Sequence, residues 1–122
     1  MIYLTYEDKK IVMTLAGLMA AVDGKFLLDE TVALLDESAR MKVDFEPLMN
    51  AAETVDPNYA INYVSKMSAD EKKYVFSVLY KVMVIDGEKH PHELSLLTMI
   101  ASLANIPWMT HEEVAAFLKT QK

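Results

Sequence analysis

A short acidic phrase occurs twice in this chain, Asp23-Gly24-x5-Glu30 and Asp86-Gly87-x5-Glu93, at a separation of 63 positions. Each copy brings two carboxylates to one tight loop. Oxygen donors of this kind suit hard divalent cations such as Ca²⁺, Mg²⁺ and Mn²⁺. If the two loops face each other, Asp23, Glu30, Asp86 and Glu93 converge. Four converging carboxylates repel unless a cation or several donors neutralise them. His90 and His92, which flank Pro91 beside Glu93, would add nitrogen ligands for Zn²⁺ or Mn²⁺.

The spacing matches the second half of an EF-hand loop, with Gly at its sixth position and Glu at its twelfth. The first half is missing. The loop's first and third positions fall on Met19 and Ala21 in one copy and on Val82 and Val84 in the other, which excludes a true EF-hand. A structural reading stands beside the cation reading. Asp accepts hydrogen bonds from backbone N–H groups of a following turn, and Glu in a helix's first turn meets the positive end of the dipole. On that reading the phrase is a staple between two helices and binds nothing, and the histidines are simply an exposed helix start.

Other chemistry is poorly supplied. There is no cysteine, which removes disulfides, thiolate metal sites and cysteine nucleophiles. His92-Glu93 has no second His at the spacing of a zinc-protease motif, and there is no serine elbow or phosphate-binding glycine loop. The sequence therefore predicts a protein that is not an enzyme.

The elements that must position the acidic loops follow from caps and periodicity. Shifting the chain by 63 also sets Lys9 and Lys10 on Lys72 and Lys73, Val12 on Val75 and Leu34 on Leu97, without a gap through the phrase. Thr5 caps a first helix, with Asp8 in its first turn and an apolar stripe at Val12, Leu15, Met19 and Val22, repeated as Val75, Val78, Val82 and Ile85. Glycine after each aspartate stops the helix.

A second helix runs from about Asp29 to Met41, and a short third one starts at Asp44, with Phe45, Leu48 and Met49 facing inward. Asp56-Pro57 starts a connector helix over about 56–66. Ser68-x-x-Glu71 opens the fifth helix, His90-Pro91 the sixth, which Asn105 closes, and Thr110-x-x-Glu113 the seventh. The expected fold is all-α, one domain over 1–122 with about seven helices. It is internally duplicated as helix-loop-helix-helix units with pseudo-two-fold symmetry, the copies covering about 5–53 and 68–121.

Composition agrees: 52% hydrophobic and 25% charged residues, with only three glycines and four prolines, describe a globular helical chain. The net charge of −6 is concentrated in one half, since residues 1–61 hold eleven acids against five Lys/Arg and residues 62–122 hold seven of each. That argues against binding nucleic acid and leaves cations or basic partners as ligands. The N-terminus lacks the basic start and apolar run of a signal peptide, and Lys81 interrupts the longest apolar stretch, so the sequence predicts a cytoplasmic protein without a membrane span.

Asp29, Glu30, Asp36 and Glu37 mark an acidic side of the second helix, read as a solvated face. The nine methionines read as core filler, with a partner groove as the other reading. Trp108, beside Pro107, either anchors a partner or covers the sixth helix.

The segments Ala21-Val-Asp-Gly-Lys-Phe-Leu-Leu-Asp-Glu30 and Val84-Ile-Asp-Gly-Glu-Lys-His-Pro-His-Glu93, each ending one helix and starting the next, resemble the TerB-like tellurite-resistance family. So does Ile100-Ala-Ser-Leu-Ala-Asn-Ile-Pro107 ahead of a short last helix. The resemblance implies a helical domain with internal pseudo-symmetry. It also implies a divalent-cation cluster at Asp23, Glu30, Asp86 and Glu93, and a role in tellurite and other stress responses, sometimes at the inner face of the membrane. Relatives attached to J-domain co-chaperones make a protein-interaction adaptor the alternative, with an unknown protein partner and the loops as staples. The second copy departs from the pattern, with Lys89 where the first has Phe26, and with His90-Pro91-His92 following.

Overall fold

The computed structural model describes residues 3–21, 28–84 and 91–120, with the backbone alone at 28–31 and 33. Seven helices and no strand occur among them: α1 (Tyr6–Ala21), α2 (Leu28–Arg40), α3 (Phe45–Glu53), α4 (Pro57–Ser65), α5 (Ala69–Val84), α6 (Pro91–Leu103) and α7 (His111–Lys119). The first three helices have 16, 13 and 9 residues, and so do the last three.

The first turn of a helix leaves N–H groups without intrahelical partners, and side chains supply acceptors at the expected places. Thr5 Oγ1 accepts from the Asp8 amide at 3.0 Å while the Asp8 carboxylate accepts from the Thr5 amide at 2.9 Å. Ser68 and Glu71 repeat the exchange at 3.2 and 2.9 Å, and Thr110 and Glu113 at 3.2 and 2.9 Å. Asp56 accepts from Asn58 ahead of Pro57 at the first helical position. Asp44 precedes α3 as its N-cap but makes no side-chain cap bond.

The ends of α2 and α6 are built alike, 63 positions apart. Val43 N–H reaches back to Ser38 O at 3.1 Å, and Ile106 N–H to Ala101 O at 2.8 Å. Each six-to-one bond needs the preceding residue in the left-handed region, where Lys42 has φ 60° and Asn105 φ 58°. Asn105 was legible as a helix stop because asparagine tolerates that conformation. Lys42 was not, since lysine has no such preference.

The core is organised around α1 and α5, which pack on each other. Helix α1 also packs on α2, α3, α4 and α6, and α5 on α2, α4, α6 and α7. The single stripe expected on α1 is therefore too narrow. Ile11, Val12, Met13, Leu15, Ala16 and Met19 are all fully buried, and consecutive buried residues cover most of a helix's circumference. In α5 the buried set runs from Tyr74 through Tyr80 and on to Val82 and Met83. Helix α3 lies close on α1 at Gly17, where an added Cβ would sit 3.2 Å from Met49 Cε. Thr14 Oγ1 lies 2.8 Å from Lys10 O and 3.2 Å from Ala52 O, giving its one proton to these carbonyls. Leu48 is fully buried and Phe45 and Met49 partly so, as the third helix's pattern predicted.

The match in register ends after α6. Helix α3 begins at Phe45 and α7 at His111, 66 positions apart instead of 63, so three extra residues precede α7. Trp108 lies in that longer link. Its ring meets Phe76 of α5 edge-on at 5.0 Å and 78°. Met13, Met19, Met41, Met83 and Met109 are buried, whereas Met99 is exposed.

A left-handed residue other than glycine carries a steric cost of roughly 1–2 kcal/mol, less for asparagine. Lys42→Gly should therefore raise unfolding stability in urea by about 1 kcal/mol, and Asn105→Gly by less. An unchanged or lowered midpoint for Lys42→Gly would contradict the strained C-cap.

Candidate functional site

The four phrase carboxylates fall very differently with respect to the described residues. Asp23 and Asp86 lie outside them, and Glu30 has its backbone alone described, as the third residue of α2. Glu93 is the third residue of α6 and is 1% exposed. The positive end of the helix favours a carboxylate there, but burial to this degree also demands donors, a cation or a proton at the oxygens. His92 is exposed, as the helix-start reading had it, and His90 lies outside the described residues. Among the described residues no three His, Asp or Glu side chains group as a metal site, a set that includes one of the four carboxylates.

The structure corrects the reading of α2's acidic side. Asp36 is exposed and pairs with Arg40 at 3.0 Å, yet Glu37 is 3% exposed. Its Oε1 accepts from the Tyr74 hydroxyl at 2.9 Å and its Oε2 from Lys81 Nζ at 2.8 Å. Both donors stand on α5, the helix that α2 crosses. Glu37 thus turns towards a neighbour that supplies donors, and nothing in the spacing of the acidic residues says which way it turns. Burial first, and then the Glu37 charge, push the Tyr74 phenol far above its ordinary range.

A pocket of about 290 Å³ opens where α1 and α5 begin, lined by Asp8, Tyr59, Asn62, Tyr63, Lys66 and Glu71 among others. Asp8 and Glu71 are the reciprocal carboxylates of the two caps. The starts of α1 and α5 and the helix α4 thus line one pocket. Tyr63 donates to Asp8 Oδ1 at 2.7 Å, and that bond pushes its phenol up to about 12. Sequence reasoning missed both tyrosine–carboxylate pairs, because their partners lie 37 and 55 positions apart and share no motif.

Breaking the Glu37–Lys81 pair by Glu37→Ala should cost about 3 kcal/mol, the lower end for a buried pair because Lys81 keeps partial access to water. Glu37→Leu with Lys81→Met should return to within about 1 kcal/mol of the parent. Denaturant midpoints of the three proteins check this, and equal losses in the single and double variants would refute it. Alkali adds a second check. Both shifted phenols are held protonated by folding, so their contribution is complete below the ordinary tyrosine pKa of about 10; the share of Tyr63 is lost as pH rises through about 12 and that of Tyr74 at still higher pH. Tyr63→Phe and Tyr74→Phe should each remove one late-titrating step in difference absorbance.

No protein-family model matches this chain, and no curated protein matches it. Among solved structures, the chain is similar to the crystal structure of a protein of unknown function from Porphyromonas gingivalis. The likeness has 26% sequence identity and a TM-score of 0.85, and covers 98% of this chain and 99% of that one. The all-helical architecture is shared along essentially the whole length of both.

Proposed function

We propose that this chain is a non-enzymatic cytoplasmic domain, TerB-like in its acidic loops, that binds a divalent cation through Asp23, Glu30, Asp86 and Glu93 in a stress response such as that to tellurite. The observation that carries this reading is the pocket shared by the starts of α1 and α5. Both helices begin at this pocket, pack on each other and have 16 residues each, which supports their finishing towards the same end of the molecule. Asp23 and Asp86 each follow by two positions the last residue of those helices, Ala21 and Val84. The matched helix lengths, the matched caps and the matched α2 and α6 ends all support the duplicated, pseudo-two-fold arrangement that the cluster requires. Burial of Glu93 supports a carboxylate turned away from solvent.

A second reading, an adaptor for a protein partner with the loops as staples, is favoured by the outer side of α6. Leu94, Met99 and Leu103 are exposed there, and the other exposed positions are His92, Ser95, Thr98 and Ser102, so no Asp, Glu, Lys or Arg lies among them. Among the described residues no helix is long and apolar enough to cross a membrane, which leaves peripheral association as the membrane role the resemblance would allow.

A cation bound only by the folded state raises the melting temperature. Ca²⁺, Mg²⁺, Mn²⁺ and Zn²⁺ should be compared by thermal unfolding, with at least one producing a concentration-dependent rise that Asp23→Asn combined with Asp86→Asn abolishes. Absence of any metal-dependent rise in the parent chain would sink the cation reading. If the loops are staples, the double substitution should lower stability equally with and without metal.

A further inference from the structure

Helices α1 and α3 leave a groove of about 320 Å³ between them, lined by Met13, Thr14, Gly17, Met49, Ala52 and Glu53 among others. Its walls are mostly apolar. The space has a cause in the sequence: position 17 is glycine, so α1 sends no side chain into the interface there. Sixty-three positions on, the residue is Tyr80, and the contrast is informative. The Tyr80 ring is buried, lies nearly parallel to Phe76 at 6.3 Å, and its hydroxyl is 3.1 Å from His111 Nδ1 at the start of α7. One half of the chain thus carries its own aromatic ring between the two helices. In the other half position 17 carries no ring, the end of Met49 reaches over it from α3, and a groove remains beside that contact.

Size and chemistry narrow the occupant. An apolar cavity of about 150 Å³ holds a benzene ring, so a groove of this volume takes a ring with a short substituent. No Lys, Arg or His lines it. Of its polar side chains, Thr14 has already given its proton to main-chain carbonyls and Glu53 is an exposed carboxylate, so each of them offers only acceptors to a ligand. The net charge of −6 adds to the preference for a positive occupant. We propose that the α1–α3 groove binds an aromatic ring bearing an amine, of which an arylalkylammonium is the simplest member. The proposal does not depend on the acidic loops binding a cation.

Tryptamine is a suitable probe and indoleacetate its oppositely charged control, both followed by amide proton–nitrogen correlation spectra of the whole chain. Tryptamine should shift the amides of Thr14, Gly17 and Ala52 and bind about fivefold more tightly than indoleacetate, the scale of one exposed charge interaction. Gly17→Tyr supplies the ring internally, as Tyr80 does. Its Cβ would meet the flexible end of Met49, which must move aside, and the ring should abolish the shifts at Thr14 and Ala52 while raising the melting temperature. Glu53→Gln, at an exposed position, should leave the fold intact and erase the preference for tryptamine. The proposal is overturned if tryptamine leaves these amides unmoved up to its solubility limit, if the shifts persist in a folded Gly17→Tyr chain, or if Glu53→Gln keeps the preference. Should Gly17→Tyr fail to fold, the Glu53→Gln comparison decides alone.

Discussion

Helices α1 and α5 lie against each other at the centre, and each is surrounded so fully that neither keeps an amphipathic face. Their mutual packing is the constraint on which the rest depends. Each fully buried Leu, Ile, Met or Phe contributes roughly 1.5–3 kcal/mol, and these two helices hold most such residues in the chain. Helices α2 and α6 each pack on both members of the pair. A cation cluster, a staple and an adaptor face would all inherit their geometry from this one contact.

Polar groups inside such a core have to be placed with care, and the chain does so asymmetrically. Glu37 is buried against Tyr74 and Lys81, while the position 63 residues later is Ile100, fully buried and apolar. The Glu37 cluster therefore pins α2 to α5 in a way that has no counterpart between α6 and α1. An ion pair of this kind adds little net stability over a well-packed apolar pair, but it strongly disfavours any arrangement that strands one partner. The same asymmetry recurs between α1 and α3, where Gly17 leaves room that Tyr80 fills in the other half. Helices matched in length and in end geometry thus differ in what they place inside the core.

The helices were legible because their signals are local. Thr5, Asp56, Ser68 and Thr110 satisfy N–H groups within three residues, and Asn105 adopts the left-handed turn by its own preference. Lys42 gave no such signal, because its conformation is imposed by the bond from Val43 to Ser38. The stripe on α1 was legible in part: Val12, Leu15 and Met19 are buried, but so are Ile11, Met13 and Ala16, since periodicity reports one contact face and not the number of neighbours. Of the candidate site, Glu93 was identified by its spacing alone. Its burial, and that of Glu37, could not be read from any run of residues.

The sequence by itself determined the helices, their order and their capped starts, together with the repeated Asp-Gly-x5-Glu phrase, because caps and turns act over a few residues along the chain. Only the tertiary structure decided which helices became central, which carboxylates were drawn inward, and where space was left between α1 and α3. Those outcomes depend on side chains tens of positions apart competing for the same volume and the same hydrogen-bond donors, and that competition exists only once the helices have packed.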